Sequence, residues 1–288
     1  MLRRILTAGV LIPVVVIVVL RGPWLLVAGT ATLVVLLAMY EFFELGDRMG
    51  LRAYRRWTMV CAVGLMYTQW LRGLETSANG SDVEFLRHAA GPFTSLEFVA
   101  IVFVFGAASI GVISREAIAD ILPGMAVSAA GLTFIAFPFS YLVRLVEVEP
   151  NGRQFVLFTL VLVWAGDMLA YFVGRAFGHA PMARALSPKK TWEGAAANLA
   201  ASLIVATFFA RWVGMDGLTL LVIAGLANIA GQIGDLVESA YKRGAGTKDS
   251  SSLLPGHGGM LDRIDSLIFA APVVWWSLEW IRHGLRIF

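Results

Sequence analysis

Long apolar runs, separated by short polar segments, dominate the chain. A helix needs about 20 mostly apolar residues to cross the core of a bilayer. About nine runs approach that length, and they lie near 5–20, 24–43, 57–71, 97–114, 121–143, 155–174, 195–213, 217–241 and 266–282. Because only closed hydrogen-bonded elements are stable in lipid, we predict an all-α, polytopic transmembrane bundle of about nine spans.

The composition supports a membrane protein. Hydrophobic residues make up 58% of the 288 positions and charged residues 15%, whereas soluble domains are nearer one half and one quarter. Arg3 and Arg4 before the first run could begin a signal peptide, but Leu20 to Pro23 is a poor cleavage site, so we expect an uncleaved helix. Cys61 is the single cysteine, which excludes an intrachain disulfide and a multi-cysteine metal site.

Lysine and arginine positions predict the orientation. If the N-terminus is cytoplasmic, 15 of the 23 basic residues fall on the cytoplasmic side and 8 on the other, as the positive-inside rule requires. Segments 175–194 and 242–265 then share the cytoplasmic side, because two spans separate them. A net charge of only +3 is explained by topology, so we expect no nucleic-acid partner.

The chain divides into two regions without a sharp boundary. Residues 1–150 form apolar helices that we expect to serve packing, lipid contact and potential dimer contacts. Residues 151–288 carry the charged and glycine-rich segments at the ends of apolar runs, and we expect the catalytic region and its cytoplasmic loops there.

Segment 231–265 is the most informative part of the chain. One helical face predicted in its first half carries Gln232, Asp235, Glu238, Ser239 and Lys242. Insertion of an acidic side chain at membrane depth costs about 3 kcal/mol of free energy unless a partner, a metal ion or a water-filled cavity stabilises the charge. A polar, glycine-rich loop follows, and its backbone N–H groups are suited to binding phosphate.

Two acidic pairs flank that loop. Asp235 and Glu238 precede it, and Asp262 and Asp265 open the next span. Hard oxygen ligands of this kind suit Mg²⁺ together with substrate phosphates. The cations that a polyphosphate requires are also present, as Lys242, Arg243, Lys248 and Arg263. Membrane topology explains each of these residues singly, but it does not explain the set.

A second group of polar residues lies between 167 and 194. Asp167, Tyr171 and Arg175 occupy a helix that approaches the cytoplasmic surface, and a compact polar turn follows at 187–191. Ser187 or Thr191 can cap the next helix, and Glu193 lies in its first turn. Lys189 and Lys190 suit the phosphate of a lipid headgroup or nucleotide, but they equally suit anionic lipid in general.

Two further polar positions allow simpler interpretations. His257 is flanked by Gly256, Gly258 and Gly259, so it either contacts phosphate or nucleotide or satisfies a tight turn. Glu41, at the end of the second run, is interpreted as part of an interfacial helix end. Neither a GxxxxGK[ST] loop nor a GxGxxG motif occurs in the sequence, so the common soluble nucleotide-binding folds are not indicated.

These motifs resemble the signature of the phosphatidate cytidylyltransferases (CDP-diacylglycerol synthases). The signature is carried by SAYKR at 239–243, KD at 248–249 and PGHGGMLDRID at 255–265. Two other stretches are also similar, SPKKTWEG at 187–194 and the pattern from Asp167 to Arg175. The resemblance covers 165–265, and before residue 150 only hydropathy and span count agree. Tyr241 differs slightly from the family signature, which usually has an aliphatic residue or phenylalanine at that position.

The resemblance implies a membrane bundle, commonly a homodimer, with CTP and phosphatidic acid as substrates. It implies an Mg²⁺ site on the cytoplasmic side, with a second metal ion as an open alternative. By motif position, Asp235 and Asp262 are the implied metal ligands, with Asp249 and Asp265 as second candidates.

Each remaining position receives an expected role. Catalytic roles are expected for Asp235, Lys242, Arg243, Lys248, His257, Asp262 and Arg263. Substrate-binding roles are expected for Asp167, Tyr171, Arg175, Ser187, Lys189, Lys190, Thr191, Glu193, Glu238 and Ser239.

Two other functions remain open at this point. A CTP-dependent kinase acting on a polyprenol or diacylglycerol would use similar groups but transfer the γ-phosphoryl group. A secondary transporter would also place acids such as Asp167, Asp235 and Glu238 within spans. Against a transporter, the polar residues gather at one face of the membrane, and the sequence contains no detectable inverted repeat.

Overall fold

The computed structural model describes residues 2–77, 95–114, 117–148, 150–251, 253 and 258–283. Within these ranges the chain forms nine helices and one short hairpin. The helices are α1 (Leu2–Arg21), α2 (Trp24–Arg48), α3 (Arg55–Ser77), α4 (Leu96–Ile113), α5 (Ile118–Leu145), α6 (Gly152–Phe177), α7 (Trp192–Val213), α8 (Gly217–Gly244) and α9 (Leu261–Arg282). The predicted all-α bundle is confirmed in its main features, and each apolar run corresponds to one helix.

Seven of the nine helices in the described ranges are long and apolar enough to cross a membrane, namely α2 and α4 to α9. Within the described residues, Gly9–Arg21 of α1 is a shorter apolar helix, and α3, with 23 residues, is less apolar than the seven. The chain therefore has the features of an integral membrane protein. The count of about nine spans and the cytoplasmic N-terminus stay predictions.

Two antiparallel strands between α6 and α7 were not predicted. β1 (Pro181–Ala183) pairs with β2 (Ser187–Thr191), and Pro181 lies opposite Thr191. From the sequence, 187–191 is predicted as a compact turn, because a strand of five residues is too short to give a clear alternating pattern. The hairpin is the part of the fold that carries Lys189 and Lys190.

Small residues allow the helices that carry acidic residues to approach closely. A Cβ on Gly234 of α8 would lie 2.6 Å from the carbonyl oxygen of Asp265 on α9 and 2.7 Å from the Phe269 ring. A Cβ on Gly166 of α6 would overlap the side chain of Asn198 on α7. Glycine at such contacts is typical of packed membrane helices. The close approach of α8 and α9 brings Asp235 beside Asp265.

The N-terminal helices pack directly against the region that carries the polar motifs. Helix α9 contacts α2, α5, α6 and α8. Next to this contact, Tyr241 packs edge-on against Phe42 of α2 and Phe134 of α5, with ring centroids 5.5 Å and 5.2 Å away. Phe134 also packs against Phe269 of α9 at 5.5 Å. The aromatic ring at position 241 therefore helps join the two regions, and the functional division at residue 150 stays a prediction.

The polar loops gather at one end of the bundle. Arg243, at the end of α8, donates from Nε to the carbonyl oxygen of Leu186 in the hairpin at 2.9 Å. Segments 175–194 and 242–265 therefore lie at the same end, as predicted. Which side of the membrane this end faces stays a prediction.

Candidate active site

Three carboxylates from α8 and α9 form a cluster. Oxygen atoms of Asp235, Glu238 and Asp265 all lie within 4.8 Å of one another. Asp235 and Glu238 are three residues apart on one helical face, and Asp265 comes from the second turn of the antiparallel neighbour. The predicted meeting of two acidic faces therefore occurs, with Asp265 as the residue that completes the cluster.

Two lysines partly neutralise this cluster. Lys190 Nζ of the hairpin lies 2.6 Å from Asp235 Oδ2. Lys242 Nζ forms an ion pair with Glu238 and lies 2.6 Å from Asp262 Oδ1. Four carboxylates thus face two lysines, which leaves an excess of two negative charges when all four are ionised.

The cluster has the chemistry of a divalent-cation site. The Glu238 side chain is fully buried, and its Oε1 finds no hydrogen-bond donor among the described residues. A buried carboxylate in that position requires a proton or a further cation. Carboxylate oxygens are the ligands that Mg²⁺ prefers in proteins. Asp235, Glu238 and Asp265 therefore fit a magnesium ion.

Asp262 has a different set of partners. Its Oδ1 accepts from Lys242, and its Oδ2 lies 3.0 Å from the backbone nitrogen of Ser250 and 2.8 Å from that of Gly259. A Cβ on Gly258, where φ is +79°, would lie 2.7 Å from the same Oδ2. The Asp262 carboxylate thus binds the backbone of the loop at both Ser250 and Gly259. Its predicted role as a metal ligand stays a prediction.

A cleft of about 290 Å³ opens beside Asp235, between α6, β2, α7 and α8. Six residues predicted from the sequence line it, namely Asp167, Tyr171, Lys189, Lys190, Thr191 and Asp235. The structure therefore brings residues from both predicted polar segments into one cavity. The lining also includes Asn198 and Gln232, which had no assigned role.

A chain of amide side chains supports the floor of the cleft. Asn198 Nδ2 of α7 donates to Asp167 Oδ1 of α6 at 3.3 Å. Asn228 Nδ2 of α8 donates to Asn198 Oδ1 at 2.5 Å, and Gln232 Nε2 donates to Asn228 Oδ1 at 2.6 Å. The chain fixes the helix of Asp167 against the helix of Asp235. The sequence feature that could have revealed these three residues is the presence of amide side chains within apolar runs.

The hairpin is held in place at both ends. Thr191 Oγ1 accepts from the backbone nitrogen of Gly194 at 3.2 Å, so Thr191 rather than Ser187 caps α7. Glu193 accepts from the backbone nitrogen of Ala180 at 3.2 Å. Arg175 donates to the Tyr171 hydroxyl at 2.9 Å. Ser187, Glu193 and Arg175 lie outside the cleft lining, so their contribution to substrate binding stays a prediction.

The remaining predicted residues lie around the loop that follows α8. Ser239 is buried beside Glu238 on α8. Lys248, Asp249 and Arg263 are exposed at the loop and at the start of α9, and His257 lies outside the described residues. Their roles toward phosphate or metal stay predictions.

Glu41 of α2 was missed as a site residue. It is 1% exposed and accepts hydrogen bonds from the loop and from the start of α9. The interpretation of Glu41 as part of an interfacial helix end gave it no partners within the protein, whereas the structure buries it among hydrogen-bond donors. The available signal was an acidic residue within an apolar run, but its partners lie more than 200 positions away in the sequence.

Comparison with known proteins gives a consistent result. A model of the cytidylyltransferase family matches residues 2–281. The phosphatidate cytidylyltransferase of Brucella abortus (strain 9-941) is 45% identical over 151 residues, which cover 51% of this chain and 55% of that protein. That of Haemophilus influenzae is 46% identical over 128 residues, which cover 42% and 44%. That of Bacillus subtilis is 37% identical over 147 residues, which cover 50% and 55%. The matches thus span about half the length of these curated relatives.

Proposed function

Because the chain belongs to the cytidylyltransferase family, we propose that it is a phosphatidate cytidylyltransferase. It would convert CTP and phosphatidic acid to CDP-diacylglycerol and pyrophosphate. The observation that carries this proposal is the carboxylate cluster of Asp235, Glu238 and Asp265 beside a cleft lined by Lys189 and Lys190. A site of this kind suits two phosphate-bearing substrates that repel each other.

The proposed reaction is an in-line displacement at phosphorus. An oxygen of the lipid phosphate forms a bond to the α-phosphorus of CTP, and the bond from that phosphorus to the bridging oxygen breaks. Pyrophosphate leaves with the electron pair. Because the nucleophile is already an anion, the protein needs no dedicated general base, and positioning and charge neutralisation provide most of the catalysis.

Asp235, Glu238 and Asp265 would hold Mg²⁺. When bound, the ion neutralises charge on the triphosphate. The family resemblance also implies Asp262 as a ligand, but Asp262 is bound to Lys242 and to the loop here, so it would have to exchange one of these partners to reach an ion. A second ion, with Asp249 as a further candidate ligand, is part of the same proposal.

The lysines of the hairpin would hold the phosphate of the lipid. Lys190 forms an ion pair with Asp235, so it can turn toward a phosphate only when Asp235 has another cationic partner. Metal binding and lipid binding are therefore expected to favour each other. Arg243, Lys248 and Arg263 would bind the triphosphate and the departing pyrophosphate, and Lys242 would keep Glu238 and Asp262 in place.

We further propose that the site faces the cytoplasm and that the protein is a homodimer. CTP is supplied from the cytoplasm, and the lipid phosphate lies at headgroup depth, where the polar end of the bundle would meet it. The excess of basic residues predicted for that side supports the orientation. The dimer rests on the family resemblance.

The labelling pattern of the product tests this function. The purified full chain in detergent micelles should transfer the label of α-labelled CTP to phosphatidic acid, and γ-labelled CTP should yield labelled pyrophosphate and unlabelled lipid. Chelation of Mg²⁺ should stop the formation of both labelled products. Entry of the γ label into the lipid would instead indicate a kinase, and the absence of any turnover in micelles would contradict an enzymatic function.

A further inference from the structure

We propose that Glu41 is a positioning residue for the CTP-binding side of the site. Its carboxylate, supplied by α2, would hold the loop residues Ser250 and Ser251 and the start of α9 in the arrangement that the triphosphate requires. This inference rests on the proposed function, and it assigns to the N-terminal region a direct part in the active site.

Each carboxylate oxygen of Glu41 lies within hydrogen-bond distance of one serine hydroxyl and one backbone nitrogen. Oε1 lies 2.6 Å from Ser251 Oγ and 2.9 Å from the backbone nitrogen of Met260. Oε2 lies 2.8 Å from Ser250 Oγ and 2.8 Å from the backbone nitrogen of Leu261. The carboxylate thus joins the early part of the loop to the start of α9, while the residue is 1% exposed.

Glu41 replaces a missing helix cap. Helix α9 begins at Leu261, and its N-cap residue Met260 provides no side-chain hydrogen bond to the first turn. The first N–H groups of a helix require acceptors, and negative charge is favourable at that end of the helix dipole. A carboxylate from a distant helix meets both requirements. The start of α9, and with it Asp262 and Asp265, therefore depends on α2 for its position.

A short series of contacts leads from Glu41 to the carboxylate cluster. Ser250 Oγ lies within hydrogen-bond distance of both Glu41 Oε2 and Asp262 Oδ2, at 2.8 and 2.9 Å. Asp262 in turn accepts from Lys242, which forms the ion pair with Glu238. A displacement of the loop would therefore reach the residues proposed to hold the metal ion and triphosphate.

Gly259 shows how tightly the loop is held. A Cβ at this position would overlap both Ser250 Oγ and Glu41 Oε2, so only glycine allows the backbone to pass this close to the carboxylate. The backbone nitrogen of Gly259 also donates to Asp262. Glu41 and Asp262 therefore hold the same short segment from two sides.

Glu41→Gln changes this arrangement with little change in shape. The amide nitrogen of glutamine is a donor, so it would face N–H and hydroxyl groups that need an acceptor. Since hydrogen bonds to a charged group are the stronger ones, we expect the loop to loosen. The hairpin with Lys189 and Lys190 makes no described contact with Glu41, so the lipid side should remain intact.

The kinetic test separates a positioning role from a role in stability. In Glu41→Gln, the KM for CTP should rise about tenfold or more, while the KM for phosphatidic acid should stay within about twofold. Glu41→Asp, which keeps the charge, should restore part of the loss. Glu44→Gln, the same substitution three residues further along α2, should leave both KM values unchanged. A fall in Vmax with both KM values unchanged would overturn the proposal, because it indicates only a smaller folded fraction.

Hydrogen exchange tests the same contact without turnover. In Glu41→Gln, the amides of 258–261 should exchange about tenfold faster or more, and those of the hairpin at 181–191 should be unchanged. If Glu41→Gln does not fold, Ser251→Ala removes one of the four hydrogen bonds and should produce smaller changes in the same directions. Unchanged exchange at 258–261 in a folded variant would overturn the proposal. If the wild-type protein made no CDP-lipid, the proposed function would fail while the exchange result would still decide the role of Glu41.

Discussion

Asp235→Asn should reduce the formation of CDP-diacylglycerol at least about 1,000-fold. Asp235 belongs to the carboxylate cluster, lines the cleft and pairs with Lys190, so the substitution removes a charge at the point where both substrates would meet. Loss of a metal ligand removes several kcal/mol of transition-state stabilisation, and about 4 kcal/mol corresponds to 1,000-fold. The rate should be measured with α-labelled CTP at saturating concentrations of both substrates.

The matched control is Asp216→Asn at the other end of the same helix. Asp216 caps α8 by accepting from the backbone nitrogen of Thr219 at 2.9 Å and from its hydroxyl at 3.0 Å. Asparagine is also a good capping residue, so this variant should keep its activity. Loss of a metal ligand predicts far less than a tenth of the wild-type rate. If folded Asp235→Asn retained more than about a tenth of that rate, the assignment of Asp235 as a metal ligand would be wrong.

Lys242→Met should destabilise the protein by about 3–5 kcal/mol, the usual effect of removing one partner from a buried ion pair. The side chains of Glu238 and Asp262 are 0% and 7% exposed, and both bind Lys242. Without the lysine, two carboxylates remain buried without their cationic partner. Equilibrium unfolding in mixed micelles, without added divalent ions, should show the loss.

A second substitution at the same place provides the control for this effect. Glu238→Gln together with Lys242→Met removes one of the unpaired charges, so the double variant should recover part of the lost stability. Lys248→Met removes an exposed lysine from the following loop and should change stability by less than about 0.5 kcal/mol. Additive effects of the changes at 238 and 242 would contradict the close coupling of these two side chains.

Most of the helical architecture could be predicted from the sequence. Apolar runs in a membrane protein have one favourable structure, because lipid offers no partners to unpaired backbone groups. Every predicted run therefore corresponds to a helix. The hairpin could not be predicted in this way, since its strands of three and five residues are polar and depend on the neighbouring ends of α6 and α7.

Helical periodicity also revealed part of the candidate site. It placed Asp235 and Glu238 on one face, and the structure shows them together with Asp265. Periodicity identifies the residues of one face, but it does not identify the partner on another element. The ion pair between Lys190 and Asp235 and the contacts of Glu41 depend on tertiary packing, so they could not be predicted from local patterns.

The proposed site requires that carboxylates from α8 and α9 bind one divalent cation together. Anomalous diffraction from crystals of the wild-type protein containing Mn²⁺ and CTP would locate the ion directly. The predicted result is a peak at coordination distance from oxygens of both Asp235 and Asp265, and its loss in Asp235→Asn. A peak away from this cluster, in crystals of protein that forms CDP-lipid with Mn²⁺, would contradict the claim.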